Sequence, residues 1–380
     1  MKSKAFSVFS IEELKTNLAN IIQTEFQPTL AIVFASPNLP FPEVSTIFKE
    51  NKIEIIGCTT SGEILNDSTL HDSFSILLVD MDKSHFKIFH QAYDEQKAIN
   101  TSIKLGEIAK ETFPNPGILA HSSGITIDGE SIVTNIKKAV GKEIPLYGGL
   151  AADNFQQIAT HTFTNQHLED YGLAALIIDT DQIEMKGMTF SGWNELGRSH
   201  TITKAEGNVL YEIDGKPALD QFINYFGNLK FQDTGEGEEL LSVPGQYPLK
   251  INRQNGAIVM RSTLIYNVEE KALILAGAVR EGDKFKFCPT PDFEVVDMTI
   301  KKYQDFSKKQ PNVDALIMNS CVGRKFSFGP MFDDEVEGIY NIWKKPMVGY
   351  MAYGEIGNTG EKQICEFHNV SCALVTLTQK

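Results

Sequence analysis

The strongest constraint on the fold is a pattern that occurs three times along the chain. Each copy consists of an apolar strand, a small polar turn, a helix, a short apolar strand and a glycine-rich turn. The copies run from "IVFAS" to "IIGCTTSGEI", from "ILAHSSG" to "PLYGGLAADN", and from "LIMNSCVG" to "PMVGYMAYGEI". Strand–helix–strand units of this kind build parallel or mixed sheets. The pattern therefore predicts an α/β fold in two domains, with mixed sheets built from repeated strand–helix–strand units.

One eight-residue frame, which reads Gly, four residues, then Gly-Glu-Ile, occurs both at 57–64 and at 349–356. An old duplication explains this recurrence, because strand, helix and Gly-Glu-Ile follow in the same order. Chance is the alternative, since two glycines at this spacing arise easily. If the unit was duplicated, the two turns lie in equivalent places. We then expect Gly62 and Gly354 to hold backbone conformations that side chains resist.

Composition excludes several classes of function. The chain has 380 residues and a formal charge of 35 − 49 = −14, which opposes binding to nucleic acid or to an anionic membrane face. The first residues contain no apolar run typical of a signal peptide, and no run approaches the ~20 apolar residues of a membrane span. The five cysteines are scattered without a Cys-x-x-Cys, which makes a disulfide framework or a structural zinc site improbable. We expect a protein of the reducing cytoplasm, without a bound metal.

Local patterns also predict strand pairs and one long loop. The runs "FSILLVDMD" and "HFKIFHQAYD" are expected to pair as antiparallel strands joined near Lys83, and "YGLAALIIDT" is expected to pair with "IEMKGMTF". Residues 257–280 are predicted to form a hairpin. The Gly- and acid-rich stretch at 229–248 is predicted to be a loop or a lid.

The glycine-rich turns are the first candidates for a ligand site. A turn at the carboxyl end of a strand in an open sheet often forms the ligand crevice, and its backbone amides can hold an anion. Glu63 and Glu355 could pair with a ligand's ammonium group, or they could tie down the turn. Arg261, Arg280 and Arg324 could clamp a carboxylate, or they could form salt bridges at the surface. The predicted ligand-binding residues are Cys58, Thr59, Gly62, Glu63, Ser122, Gly149, Asp153, Asn154, Arg261, Arg280, Cys321, Arg324, Tyr353, Gly354 and Glu355.

Enzymatic motifs are absent from the sequence. Cys321 and Arg324 have the spacing Cys-x2-Arg, whereas a phosphatase loop needs Cys-x5-Arg to wrap a phosphate. His121 and Ser122 are adjacent in a strand and therefore point to opposite faces. There is no Gly-x-Ser-x-Gly elbow, His-Glu-x-x-His or phosphate-binding Walker loop. We predict a non-enzyme with no catalytic residue, and an enzyme that uses Cys321 is the alternative.

Several longer stretches resemble the FIST family. "GCTTSGEI", "GGLAADN" and "GWNELGRSHTITKAEGNVLYEIDGKPAL" resemble its N-terminal domain, and "NSCVGR", "GYMAYGEIG" and "FHN" resemble its C-terminal domain. The resemblance implies a sensory protein of intracellular signal transduction that binds a small ligand such as an amino acid. It divides the chain into an N-terminal helical segment (1–27), a FIST N-like domain (28–215) and a FIST C-like domain (216–380).

The resemblance also suggests a location for the ligand and a route for the signal. We expect the ligand between the two lobes, where the glycine turns converge, and a partner such as a histidine kinase, a cyclase or a chemotaxis receptor. Some members resemble haem-containing nitric-oxide sensors that regulate a histidine kinase. Under that alternative the cofactor is haem b, and His121 and His368 are the candidate iron ligands, because a Cys-x-x-Cys-His for covalent haem is missing.

Overall fold

The computed structural model describes residues 1–24, 26–93, 98–125, 127–227, 231–233, 238–241, 247–359 and 364–380, of which 231–233 and 238–241 are described by their backbone alone. The helices are α1 (Ile11–Thr24), α2 (Phe41–Glu50), α3 (Ala98–Thr112), α4 (Gly129–Val140), α5 (Ala218–Phe226), α6 (Glu294–Ser307), α7 (Val322–Phe328) and α8 (Met331–Trp343). Within these described ranges, no helix is both long enough and apolar enough to cross a membrane.

The strands fall into three groups along the chain. The first group is β1 (Ser3–Val8), β2 (Leu30–Ala35), β3 (Glu54–Thr59), β4 (Glu63–Leu65), β5 (Ser68–Leu70), β6 (Phe74–Val79), β7 (Phe86–Ala92), β8 (Pro116–Ser122), β9 (Leu146–Leu150), β10 (Thr162–Thr164), β11 (Leu168–Glu169), β12 (Gly172–Asp179) and β13 (Ile183–Phe190). The second group is β14 (Leu196–Glu206), β15 (Val209–Ile213), β16 (Lys216–Pro217), β17 (Phe231–Asp233), β18 (Glu238–Leu241), β19 (Leu249–Asn252), β20 (Ile258–Arg261), β21 (Thr263–Asn267), β22 (Ala272–Leu275) and β23 (Lys284–Phe287). The third group is β24 (Ala315–Cys321), β25 (Met347–Ala352), β26 (Glu355–Thr359), β27 (Ile364–His368) and β28 (Cys372–Gln379).

Three six-stranded sheets have the same internal order. Sheet 1 runs β1-β6-β2-β3-β10-β11, sheet 2 runs β7-β12-β8-β9-β26-β27, and sheet 3 runs β13-β28-β24-β25-β4-β5. Each sheet contains one parallel pair, β2 with β3, β8 with β9, and β24 with β25. These pairs are the three strand–helix–strand units seen in the sequence, and the predicted α/β class with mixed sheets is confirmed. The pattern therefore repeats three times in the fold, not only at its first and last copies.

Each sheet is completed by a hairpin from another repeat. The β4–β5 hairpin follows β3 in the chain but pairs with β25 of sheet 3. The β10–β11 hairpin follows β9 and pairs with β3 of sheet 1, while β26 and β27 follow β25 and pair with β9 of sheet 2. The exchange is cyclic, so the three repeats form a closed ring around a common centre.

This exchange explains why two predicted strand pairs are wrong. β6 pairs with β1 and β2, and β7 pairs with β12, so the two strands near Lys83 lie in different sheets. Likewise β12 lies between β7 and β8, while β13 pairs with β28. Both edges of β6 and both edges of β12 are already hydrogen-bonded, which leaves no edge for the next strand in the chain. The predicted hairpin within 257–280 is present as β21 and β22.

The three sheets enclose one apolar core and carry their helices outside. Apolar side chains from all three sheets, including Phe34, Leu176 and Val348, form this central core. Separate outer cores lie under α1 and α2 on sheet 1, under α3 and α4 on sheet 2, and under α6 to α8 on sheet 3. Strands that are buried on both faces explain why the repeats read as continuous apolar runs.

The third repeat carries a large insertion between β13 and α6. Strands β14 to β23 form an antiparallel sheet, sheet 4, which packs with α5 around its own core of Phe222, Tyr266 and Phe287. The predicted boundary between residues 215 and 216 falls between β15 and β16 of this sheet, and the domain division stays a prediction. The segment 1–27 contains β1 in addition to α1. The predicted loop or lid at 229–248 lies largely outside the described residues, although β17 and β18 fall within it.

Three glycines occupy equivalent positions in the parallel pairs. Gly57, Gly148 and Gly349 are paired with Val33, Ala120 and Met318 on the neighbouring strand. A Cβ atom on these glycines would lie 2.0, 1.8 and 1.9 Å from the carbonyl oxygen of that partner. Glycine is therefore required because two backbones approach too closely for any side chain.

The glycines of the Gly-Glu-Ile turns differ from each other. Gly62 has a φ of +128°, as expected for a conformation that side chains resist. Gly354 is not among the residues with positive φ, so the expected backbone conformation is wrong there. Glycine is still required, because a Cβ on Gly354 would lie 2.2 Å from the ring of Phe367.

We predict that Gly349→Ala destabilises the protein more than Gly141→Ala. The new methyl group at 349 meets a backbone carbonyl that cannot rotate away, and the expected cost is about 3 kcal/mol or more. Gly141 caps α4 at a φ of +77°, and no described atom lies within 4 Å of the place that an alanine methyl group would take. Its cost is therefore limited to about 1 kcal/mol of backbone strain. Urea unfolding of the two variants measures the difference, and equal costs would contradict the close approach.

Candidate functional site

A cavity of about 440 Å³ lies between sheet 4 and the carboxyl ends of β8 and β24. Its body side is formed by the loop before α4, by residues that follow β9 and by residues 321–323. Its other side is formed by the β14–β15 turn, by Ser262 and Leu264, and by residues 275–278. A volume of this size suits a small-molecule ligand. The carboxyl ends of parallel strands are also where ligands bind in open α/β sheets.

Two buried side chains that line the cavity carry oxygens without a hydrogen-bond partner among the described residues. They are Ser262 Oγ and Asn369 Oδ1, on residues that are only 4% and 1% exposed. The amide nitrogen of Asn369 donates to the carbonyl oxygen of Ala276 at 3.4 Å, so its oxygen is the group left over. Buried polar atoms are usually satisfied in folded proteins, so these two oxygens, which face a cavity, are the candidate contacts for a ligand.

Cys321 and Tyr353 are the two predicted site residues that line the cavity. Burial raises the pKa of the Cys321 thiol, so the thiol is neutral and is a poor nucleophile. The Tyr353 hydroxyl donates to Asp153 Oδ1, and the other oxygen of Asp153 accepts the backbone amides of Ile158 and Ala159 at 2.6 and 3.1 Å. The predicted residue Asp153 therefore organises the cavity wall from behind Tyr353.

Glu63 and Glu355 are equivalent residues with different surroundings. Both carboxyls accept the amide and the hydroxyl of a serine that precedes the last strand of the repeat, Ser73 or Ser371. The second oxygen of Glu63 accepts hydrogen bonds from Ser36 and Thr60. These contacts tie down the turn, which is the structural role considered for Glu63.

In the third repeat the matching hydroxyls are missing. Cys321 is the equivalent of Ser36, because the amide of Ser36 donates to the carbonyl of Ser73 and the amide of Cys321 donates to that of Ser371. By strand register, Ala352 is the equivalent of Thr60. Within the described part of the chain, Glu355 Oε1 therefore has no hydrogen-bond partner, and the thiol of Cys321 is the polar group beside this carboxyl. Burial raises the pKa of Glu355, which favours a neutral carboxylic acid directly behind the cavity wall.

Three arginines of the inserted sheet region converge on one carboxylate of the body. Arg253 and Arg261 each donate to Glu130 Oε2 at 2.6 Å, and Arg280 donates to Oε1. Desolvation would raise the pKa of Glu130, but the arginines outweigh it and the pKa is lowered. Burial lowers the pKa of Arg261 to about 10 against the attraction of Glu130. The cluster joins sheet 4 to α4 next to the cavity, since the carbonyl of the lining residue Ala278 accepts from Arg253 and Arg261.

The expected three-arginine clamp is therefore not assembled. Arg324 is fully buried elsewhere, where it pairs with Glu335, donates to the carbonyl of Val370 at 3.1 Å and lies 4.5 Å from the ring centre of Phe328. Arg261 uses its remaining donors on the carbonyls of Met260 and Phe367. These guanidinium groups are occupied by protein partners, because an arginine can be buried only when its donors are satisfied.

The remaining predicted residues lie in the sheets and turns around the ring. Cys58 belongs to the central core, and Ser122 Oγ lies 2.6 Å from the hydroxyl of Tyr93. Thr59 Oγ1 accepts the amide of His161 at 2.9 Å, and the amide of Asn154 donates to the carbonyl of Thr60. The neighbour of Gly149 is Tyr350, whose hydroxyl would lie 2.9 Å from a Cβ at this position. None of the predicted residues on the 57–64 turn, all of which the structure describes, lines the cavity.

The two candidate haem ligands do not fit that role. His121 packs against the rings of Phe34 and Tyr350, and its Nδ1 lies 3.2 Å from the Tyr350 hydroxyl. His368 Nε2 lies 3.2 Å from the carbonyl oxygen of Gly357. Neither residue lines the cavity, and burial lowers the pKa of each to about 3. A haem iron needs an imidazole nitrogen that faces a slot large enough for the ring, and neither histidine faces the cavity between sheet 4 and the body.

Sequence reasoning missed Ser262, Asn369 and Glu130. Asn369 lies inside the "FHN" stretch that carries the family resemblance, and Ser262 follows Arg261, so both were adjacent to residues already singled out. Glu130 occupies the first turn of α4, where an acidic residue is common for the helix alone. Its role as the shared partner of Arg253, Arg261 and Arg280 depends on the tertiary fold, and the only hint in the sequence is that arginines in an acidic chain are expected to find carboxylate partners.

We predict that Glu63→Gln destabilises the protein by about 1–2 kcal/mol more than Glu355→Gln, as measured by urea unfolding. Both oxygens of Glu63 accept hydrogen bonds, so an amide nitrogen must replace an acceptor. At Glu355 the amide nitrogen can take the side of Oε1, which has no partner among the described residues. A larger loss for Glu355→Gln would show that the two turns are held together differently from this description.

Comparison with known proteins identifies the family. The FIST N domain matches residues 29–216 and the FIST C domain matches residues 218–358. An uncharacterized protein of the archaeon Methanocaldococcus jannaschii is 24% identical over 412 aligned positions, which cover 94% of this chain and 73% of that protein. FIST domains are associated with sensing in signal transduction. The chain belongs to the FIST family.

Proposed function

We propose that this protein is a sensory module that binds a small ligand in the cavity between sheet 4 and the three-sheet body. The observation that carries the proposal is the pair of buried oxygens, on Ser262 and Asn369, that line the cavity without a partner in the described ranges. Leaving such groups unpaired costs free energy, and a ligand that pairs with them recovers it. The cavity is lined by both parts of the molecule, so a ligand held there contacts both.

Contact with both parts provides a route for a signal. A ligand can shift a conformational equilibrium only if it binds the two states with different affinity. Sheet 4 is joined to α4 through Glu130 and its arginines, and Ala278 belongs to both this junction and the cavity lining. A ligand beside Ala278 would change the position of sheet 4 relative to the body. We propose that a partner, such as a histidine kinase, a cyclase or a chemotaxis receptor, responds to this change.

The side chains at the cavity support a binding role over catalysis. Burial raises the pKa of the candidate nucleophile Cys321 and outweighs the lowering by Arg324, which is paired with Glu335. A nucleophile needs an adjacent base or a lowered pKa to react at neutral pH. An amino acid is the ligand class that the resemblance suggests, and it is one arm of the test below.

The test is a thermal unfolding screen with a cavity-blocking variant and a matched control. Leu264 lines the cavity, whereas Leu196 lies on β14 outside the lining and is 38% exposed. A ligand at one hundred times its Kd stabilises the folded state by about 2.7 kcal/mol. We expect at least one member of a panel of amino acids, amines and haem to raise the Tm of wild type and of Leu196→Trp, but not of Leu264→Trp.

Two results would contradict the proposal. One is a panel in which no compound raises the Tm of wild type. The other is a Leu264→Trp variant that responds as strongly as Leu196→Trp, since the added indole would then not obstruct the site. A Tm rise with haem that survives Leu264→Trp would move the ligand site away from the cavity altogether.

A further inference from the structure

The charge on the cavity lining restricts the ligand further, if the proposed binding function holds. Among the described residues, the lining includes one aspartate at the rim, Asp128, and no lysine, arginine or histidine. A second carboxylate, that of Asp153, lies behind Tyr353 and accepts a hydrogen bond from its hydroxyl. The one charged side chain on the described lining is therefore negative, in a chain whose net charge is also negative.

Cationic groups close to the cavity are already paired. Arg261 lies behind the lining residue Gly277, since a Cβ on this glycine would be 3.0 Å from Arg261 Nε. The guanidinium of Arg261 donates to Glu130 and to three carbonyls. Arg253 donates to Glu130 and Asp283 while its Nε has no partner among the described residues, and the half-exposed Arg280 donates to Glu130. No lysine, arginine or histidine among the described residues lines the cavity, so a ligand carboxylate or phosphate would enter it without a cation in direct contact. Such a buried unpaired charge is costly.

The backbone donors nearest the floor are also engaged. The amide of Gly124 donates to Thr160 Oγ1 at 2.8 Å, and the amide of Gly323 is directed to the sulfur of Cys321. Among the buried side-chain atoms of the described lining, the two without a hydrogen-bond partner are oxygens. Asn369 Oδ1 can only accept a hydrogen bond, and Ser262 Oγ can accept one. The floor therefore needs a ligand that donates.

The walls between the rim and the floor are largely apolar. Leu150, Leu264, Leu275 and Val322 contribute aliphatic surface, and Phe155 and Tyr353 contribute aromatic rings. Aromatic faces attract cations as well as apolar groups. The body of the ligand should therefore be a hydrocarbon of modest size, since the cavity measures about 440 Å³.

We infer that the cavity takes a small amine with an apolar body and no carboxylate. Its ammonium or amine hydrogens meet Asn369 Oδ1 and Ser262 Oγ, its hydrocarbon part contacts the leucines and aromatic rings, and Asp128 supplies negative charge at the rim. A zwitterionic amino acid presents the same ammonium group but adds a carboxylate that finds no free cation among the described residues of the lining.

The test compares three compounds that share one body: 2-phenylethylamine, phenylalanine and 2-phenylethanol. A second series, 3-methylbutylamine, leucine and 3-methylbutanol, allows for a narrower cavity. Isothermal titration with the full chain should give the tightest binding for the amine of at least one series. The matched amino acid and alcohol should each bind at least about tenfold more weakly, the loss expected for one charge-assisted hydrogen bond or one uncompensated charge.

Two pairs of variants locate the interaction. Ser262→Ala removes a buried hydroxyl that has no partner among the described residues, so it should leave the unliganded protein as stable as wild type while weakening amine binding about tenfold. Thr189→Val deletes another such hydroxyl away from the cavity and should leave binding unchanged. Asp128→Asn keeps an N-cap residue on α4 and should weaken amine binding about two- to fivefold. Asp82→Asn removes the same charge from the cap of the 3₁₀ turn Lys83–His85 and is the matched control.

The outcomes separate this inference from the proposed function. If phenylalanine or leucine binds as tightly as its amine and the response is lost in Leu264→Trp, the cavity is a ligand site but the inferred class is wrong. If the alcohol equals the amine, the positive charge is not recognised and the inference is also wrong. If Ser262→Ala binds the amine as wild type does, the floor does not make the contact that we assign to it. If no compound of either series binds, the inferred class is wrong, while the proposed function fails only if the wider thermal screen also finds no ligand.

Discussion

The structure depends on the exchange of hairpins between repeats. No repeat completes its own sheet, because the last two strands of each described sheet come from a neighbour in the ring. Each parallel pair is therefore bordered by a hairpin that arrives from a distant part of the chain. The central core is shared by all three sheets and forms only when the ring closes. Such long-range pairing makes the three repeats one cooperative unit and predicts slow folding relative to chains with local contacts.

The cavity exists because the ring symmetry is broken at one place. The third repeat carries sheet 4, and the cavity under it is lined by residues at the ends of β8 and β24 but by none at the equivalent end of β2. The residues at these ends have diverged accordingly. At the end of β2, Ser36 and Thr60 satisfy Glu63 completely. At the end of β24, Cys321 and Ala352 replace these two hydroxyl residues. Behind the cavity wall, one oxygen of the Glu355 carboxyl therefore has no hydrogen-bond partner among the described residues. The symmetric turns thus serve stability in one repeat and face a candidate ligand site in another.

Local elements were predictable from the sequence, whereas strand partners were not. Apolar runs, helix caps such as Asp128 and Gly141, and the repeated frame indicate the strands and helices correctly, because these depend on residues close in the chain. The order of strands near Lys83 depends on which edges are already occupied, and no local pattern records that. The three copies of the pattern, read together, were the best sign of the ring.

The arginines show the same limit for the site. Arg261 ends β20, Arg280 lies in the loop after β22 and Arg324 lies on α7, and their partners Glu130 and Glu335 are set by the tertiary fold. A cation is available to a ligand only when no protein carboxylate has taken it, and this is decided by packing. Cys321 and Tyr353 were found because they end or follow parallel strands, which is a topological rule that the sequence does carry.

A crystal structure of the protein grown with 2-phenylethylamine tests the central claim most directly. The account predicts density for the compound between sheet 4 and the body, with its nitrogen within hydrogen-bond distance of Asn369 Oδ1 or Ser262 Oγ. Density only at another position, for example in the central core beside His121 or on the outer surface of a helix, would contradict the claim that this cavity is the ligand site.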